Sequence, residues 1–269
     1  MVVRNKITIK EFQKMKDEGE KITMISAYTF PIARILDEVG IDSILVGDSL
    51  GMTVLGYENT LEVTVEDIIR HSQAVSRGSK RSLIIGDMPF LSFGVSIKET
   101  TINAGRLVKE GRCEAVKLEG GRERIEDVKA IKAIGIPVLG HIGLTPTYIN
   151  MFGGFKVQGK EEAAAKRLIE DAKMLEEAGI FGVVLESIPW KLAKEISENL
   201  SIPTIGIGAG EFCDGQVLVV DDLIGLTPIL KPKFVKKYSN VQEVIRKSVQ
   251  EYNKEVKEGV FPSEDQRYD

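Results

Sequence analysis

The chain has 269 residues, 43% hydrophobic and 28% charged, with 26 Gly and 9 Pro, the make-up of an ordinary globular protein. Its formal net charge of -4 leaves no basic footprint for nucleic acid. The start of the chain holds no apolar signal-peptide core and no apolar run reaches the roughly 18 residues of a membrane helix, so a cytoplasmic protein with neither a membrane nor a nucleic-acid partner is expected.

In chain order, residues 8–19 predict a helix ahead of the first strand. Apolar runs then predict strands at 22–28 (ITMISAY), 43–49 (SILVGDS), 82–88, 115–120, 137–143, 182–187, 203–208 and 216–222. Their Val, Ile and Leu run on without alternating, as in strands buried on both faces. Between them lie amphipathic helices. TVEDIIRHSQAVSRG opens on a Thr N-cap with an acid three residues on and closes on Gly78. Two others close on Gly111 and Gly179, and GIP, SIP and AGI mark short turns into the next strand. The stretch 143–160, GLTPTYINMFGGFKVQGK, has neither period and reads as a long loop, of the kind used as a lid or binding loop. Residues 240–257 predict a last helix. Eight strands alternating with helices predict an α/β fold, a (β/α)8 TIM barrel forming one domain over 1–269. Cys113 and Cys213 are far apart and read as two free buried thiols, and a core of this size needs no disulfide or structural metal.

Four of these greasy strands end on acids: Asp48, Asp87, Glu119 and Glu186. A carboxylate there carries a desolvation cost unless something pairs with it. In a barrel all the strand ends meet at the C-terminal face, where the active site lies. The four acids and His141 would then share one mouth, and Lys117, two residues before Glu119, points the same way. Capping of the following helix is the simpler explanation for any single acid. Asp48, Asp87 and Glu119 together favour a hard cation such as Mg2+, held by carboxylates and completed by water and substrate. Lys117 is placed to pair with acids or with a substrate carboxylate, and its acid neighbours disfavour a Schiff base. His141 reads equally well as a satisfied core histidine or a site group, whereas His71 reads as surface. Glu186 suits a general base or, more plainly, a helix-end partner. GIGAG at 206–210 follows the seventh strand, where barrels often bind phosphate, but a close-packed turn explains it as well. RERIED, after Gly121, reads as a charged helix start.

At these residues the chain resembles the ketopantoate hydroxymethyltransferase family. VGDSLGMTVLGY, GDMPF, VKLEGG, GHIGLTP, LESIP, IPTIGIGAG and DGQVLVVDDLIGL carry the likeness across nearly the whole chain. It implies a barrel of the phosphoenolpyruvate/pyruvate type, with an extra N-terminal and C-terminal helix here, usually assembled as a homodecamer of two rings of five. It implies transfer of a hydroxymethyl group from 5,10-methylenetetrahydrofolate to 3-methyl-2-oxobutanoate, giving 2-dehydropantoate, through an enolate that Mg2+ stabilises. This is the first step of pantothenate synthesis. By position, the resemblance makes Asp48 and Asp87 direct Mg2+ ligands and Glu119 an outer or weaker one. Asp48, Ser49, Asp87 and Lys117 become the keto-acid contacts, Glu186 the proton acceptor and His141 a further site residue. Thr147 stands where many members have Gln, in a loop expected not to touch the chemistry. Two rivals remain: a Mg2+-dependent carbon–carbon lyase or mutase on the same barrel, although the KKCGH motif of the lyases is missing, and a non-catalytic barrel that binds a metabolite.

Overall fold

Eight apolar runs become eight parallel strands. They are β1 Ile22–Ser26, β2 Ser43–Val46, β3 Leu83–Asp87, β4 Ala115–Glu119, β5 Val138–Gly143, β6 Gly182–Glu186, β7 Thr204–Ile207 and β8 Gly215–Val219. Each pairs with the next, and β8 pairs back onto β1 to close the barrel. β2, β3, β4 and β5 are buried along their whole length, which explains why their sequences do not alternate. The predicted strand ends are trimmed or shifted by up to three residues, so Asp48 and Ser49 sit in the turn beyond β2. The computed structural model describes residues 5–227 and 232–268. The chain divides into two compact units, Met1–Val219 and Val220–Asp269.

The first unit carries the barrel and its helices: α1 Ile9–Glu18, α2 Phe30–Val39, α3 Leu50–Thr53, α4 Val65–Gly78, α5 Ile97–Lys109, α6 Ile125–Ala133, α7 Ile149–Phe152, α8 Glu162–Ala178 and α9 Trp190–Asn199. The Thr64 signal before α4 is a capping box. The Thr64 hydroxyl accepts from the Asp67 N–H at 3.2 Å, and the Asp67 carboxylate accepts from the Thr64 N–H at 3.0 Å. The 143–160 stretch is less irregular than expected, with a 3-10 turn at Pro146–Tyr148 running into α7. Elements of three and four residues are too short to show a period, and Gly153 and Gly154, both at positive φ, end them.

α1 closes the N-terminal end of the barrel. Its Phe12 and Met15 pack in one cluster with Ile22, Leu83 and Ala115, the first residues of β1, β3 and β4. Phe12 meets the ring of Phe181, just ahead of β6, edge-on at 5.9 Å. Burying one such side chain stabilises by roughly 1.5–3 kcal/mol. Inside the sheet, Met24, Leu45, Ile85, Leu139, Val184, Ile205 and Val217 continue this cluster.

Asp37, near the end of α2, ties the turn before β3. Its Oδ1 accepts from the Ser79 hydroxyl at 2.7 Å and from the N–H groups of Arg81 and Ser82 at 2.8 and 2.9 Å. Partial burial pushes this carboxyl up, but the donors outweigh it and hold its pKa down, at about 2. Asp37→Ala should therefore lower stability at neutral pH by about 1–3 kcal/mol, the cost of orphaning such donors. A depressed native pKa gives stability that is present above the unfolded value and lost as pH falls through the folded one. The gap between parent and variant in urea titrations should thus stay constant above about pH 5 and shrink between about pH 4 and 2.

The second unit contains α10 Val220–Leu223 and α11 Val241–Glu258. No residue of α11 is buried, and Val244, Ile245, Val249, Tyr252 and Val256 form an exposed apolar stripe along it. Among the described residues no helix is long and apolar enough to cross a membrane. Cys113 and Cys213 are free and buried, and burial pushes the Cys113 thiol up to about 12.

Candidate active site

Strand register assembles the cluster. Asp87 at the end of β3 pairs with Lys117 of β4, Glu119 pairs with His141 of β5, and Gly143 pairs with Glu186 at the end of β6. Gly143 has φ 96°, and a Cβ there would lie 2.3 Å from the Glu186 carbonyl oxygen. A side chain at this position would push Glu186 away from His141. The turn after β2 brings in Asp48, whose N–H donates to Asp87 Oδ2 at 3.1 Å.

The result is a continuous buried network. The Lys117 ammonium lies 2.7 Å from Asp87 Oδ1 and 3.3 Å from Glu119 Oε1. His141 Nδ1 lies 3.3 Å from the same Glu119 oxygen, and its Nε2 lies 3.2 Å from Glu186 Oε2. Asp48, Asp87, Lys117, Glu119 and His141 are each at most 4% exposed, while the Glu186 side chain keeps 16% of its surface. Six of the seven predicted site residues thus touch in one chain of contacts. Ser49 joins from the rim, its hydroxyl 2.7 Å from the Tyr28 hydroxyl.

None of the four strand-end acids serves as a helix cap. The residues at the N-caps after these strands are Ser49, Ser96, Gly121 and Pro189, so capping does not explain the acids. Burial pushes the Asp48 carboxyl well up, and the charges of Asp87 and Glu119 add to that. Burial also raises Asp87 against the pull of Lys117. Glu119 behaves oppositely. Burial would raise it, but Lys117, His141 and Thr147 outweigh burial and hold it well below the usual carboxylate range. Burial would lower Lys117, yet Asp87, Glu119 and Asp48 keep it above an ordinary lysine. Burial and Lys117 press His141 down, but carboxylates on both ring nitrogens bring it up to about 9.

One ligand oxygen from each of Asp48, Asp87 and Glu119 lies within 4.8 Å of the others. Asp48 Oδ2 is buried without a hydrogen-bond partner among the described residues. Burial and mutual repulsion work against ionising Asp48 and Asp87 side by side, and a cation held between them would relieve both. An all-oxygen donor set of that kind fits a hard divalent cation such as Mg2+.

Two expectations need correction. Thr147 does touch the cluster: its N–H and its hydroxyl both donate to Glu119 Oε2, at 3.0 and 2.6 Å. His71 is not a surface residue but half-buried, with Nδ1 2.7 Å from the Tyr28 carbonyl oxygen and its ring edge-on to Tyr28. Arg124 of the charged helix start bonds the Tyr148 hydroxyl at 2.8 Å and Asp127 at 3.2 Å, and lies over the Phe93 ring, tying together the loops that follow three strands. Tyr28 ends the run ITMISAY, but a tyrosine at the end of an apolar strand raises no charge conflict that would mark it as a site residue. GIGAG spans the end of β7 and the turn after it, where a Cβ on Gly210 would lie 2.5 Å from the Trp190 Cβ.

The barrel has the fold of the phosphoenolpyruvate/pyruvate enzymes. It superposes on phosphoenolpyruvate phosphomutase from Streptomyces platensis subsp. rosaceus with a TM-score of 0.61 at 13% identity, covering 97% of this chain and 92% of that one. Phosphonopyruvate hydrolase, solved with oxalate and Mg2+, gives 0.60 at 10% identity, over 98% and 92%. In sequence, a 3-methyl-2-oxobutanoate hydroxymethyltransferase of Clostridium botulinum (strain 657 / Type Ba4) is 59% identical over 257 residues, 96% of this chain and 94% of the relative. The family model for ketopantoate hydroxymethyltransferase matches residues 6–264. Matches of that depth and length reach well beyond a shared barrel, and the chain belongs to the ketopantoate hydroxymethyltransferase family.

Proposed function

We propose that this enzyme moves a hydroxymethyl group from 5,10-methylenetetrahydrofolate onto 3-methyl-2-oxobutanoate, giving 2-dehydropantoate, and does so with Mg2+ held by Asp48 and Asp87 and, more weakly, Glu119. The observation that carries this reading is the buried three-carboxylate cluster, with Asp48 Oδ2 lacking a hydrogen-bond partner among the described residues, one histidine away from Glu186. When bound, Mg2+ supplies a Lewis acid for the ketone oxygen of an α-keto acid.

The chain's own residues do the rest. Lys117 brings a positive charge toward the substrate carboxylate, and the Ser49 hydroxyl, backed by Tyr28, offers a hydrogen bond. Glu186 Oε2 takes the proton from the β carbon, with His141 Nε2 orienting that oxygen. The carbon so activated attacks the one-carbon unit of the folate. Uptake of one water and release of tetrahydrofolate complete the balance. The segment after β5 helps to exclude bulk water from the cluster. The exposed apolar stripe of α11 supports an oligomer, which we read as a homodecamer working in the cytoplasm.

The test is incubation with 3-methyl-2-oxobutanoate and Mg2+ in D2O, with and without the folate. Exchange of the β proton without folate, and 2-dehydropantoate with it, are expected. Cleavage of another keto acid in place of both would favour the lyase, and binding without either reaction would favour the silent barrel.

Lys117→Ala should raise the apparent KM for the keto acid by about 10–100-fold, since a hydrogen bond to a charged group contributes about 1.5–3 kcal/mol. Metal affinity should change less. If metal binding collapses while substrate affinity holds, Lys117 is a counter-charge for the acids and contributes nothing to docking.

A further inference from the structure

Glu119 is the longest of the three acids in the cluster, and something has to stop it from swinging. Its two oxygens are held very differently. Oε1 has only long contacts, 3.3 Å to Lys117 Nζ and 3.3 Å to His141 Nδ1. Oε2 receives both donors of one residue, the N–H and the hydroxyl of Thr147, at 3.0 and 2.6 Å. The orientation of the carboxylate is therefore set from the Thr147 side.

Thr147 is itself well anchored. It is 6% exposed, in a segment pinned on either side. Leu144 N–H donates to the Glu186 carbonyl at 2.9 Å, and the Tyr148 hydroxyl accepts from Arg124 at 2.8 Å. The same segment thus grips the base strand and the cation cluster together.

We propose that Thr147 is a positioning residue for cation binding: it fixes Glu119 through Oε2 so that the rest of the carboxylate faces Asp48 and Asp87. This rests on the reading of those three acids as a cation site. Partners that orient a ligand from outside typically contribute 10–100-fold in metal affinity. Because one loop provides both donors, an ion that orders Glu119 also orders the loop, and by reciprocity a displaced loop weakens the ion.

The experiment titrates Mn2+, as a paramagnetic stand-in for Mg2+, into metal-free full-length protein without substrate, followed by electron paramagnetic resonance well below the melting temperature. Thr147→Val keeps the shape and the N–H but removes the hydroxyl, and should weaken Mn2+ binding by about 10–100-fold. Thr147→Ser should restore parent affinity. A purely structural role would lower the melting temperature of Thr147→Val and leave Mn2+ affinity in the folded protein unchanged, which overturns the proposal, as does a folded serine variant that binds as weakly as valine. If the parent itself takes up no Mn2+, the cation reading falls and the proposal with it. One measurement needs no variant: Mn2+ should slow hydrogen exchange of the Thr147 amide in the parent chain, and an unchanged rate in protein shown to bind the ion overturns the coupling.

Discussion

Asp87→Ala is expected to remove metal-dependent turnover. Asp87 sits at the centre of the cluster, with Oδ1 on the Lys117 ammonium and Oδ2 on the Asp48 N–H. Its loss takes away one of the proposed ligands, frees Lys117 toward Glu119 and leaves the Asp48 amide unpaired in a buried place. Lewis-acid stabilisation is worth several kcal/mol, and about 1.4 kcal/mol is tenfold in rate, so the fall should be about 10³-fold or more. Steady-state kinetics across a Mg2+ titration, beside a direct Mn2+ binding measurement, would check it. Near-normal kcat at ordinary Mg2+ would sink the assignment of Asp87 as a ligand.

Glu186→Gln should keep the fold, the cation and the keto acid, yet lose turnover by about 10²–10⁴-fold, the usual contribution of a positioned general base. The amide keeps the shape but cannot take up a proton. Glu186 meets the rest of the cluster through His141 Nε2, on the side away from Asp48 and Asp87, and its side chain is the least buried of the strand-end acids. The discriminating measurement is β-proton exchange without folate. If exchange falls together with product, Glu186 takes that proton. If exchange stays normal while product falls, it acts later, on the new hydroxymethyl group or its water, and a bound water becomes a better candidate for the base than His141, which its carboxylate neighbours hold protonated at neutral pH.

The strands and most of the candidate cluster are legible in the sequence because both leave local marks. A strand buried on both faces is an unbroken apolar run, and an acid ending such a run stands out against it. Lys117 stands out for the same reason inside AVKLEGG. Thr147 and Tyr28 leave no such mark. A threonine in a loop is ordinary, and its partner Glu119 is 28 residues away. Only the return of the segment after β5 across the end of β4 brings them together. The helical period around His71 tells which face is apolar but not that the Tyr28 carbonyl meets its ring. The short helices α3 and α7 are four residues each, less than the stretch over which a 3.6-residue period repeats.

The helix that plugs the barrel from below has a consequence for kinetics. Phe12 and Met15 seal that end and aliphatic side chains fill the middle, so the described residues close the barrel there. On the proposed function, ion, keto acid, folate and product would all use the approach from the C-terminal face. The ion and the small keto acid would then settle at the bottom before the bulky folate stands over them. The spent folate has to withdraw before the product can follow. Traffic through one door imposes a compulsory order, and in initial-rate measurements the folate should bind second, with the enlarged acid as the last species to leave.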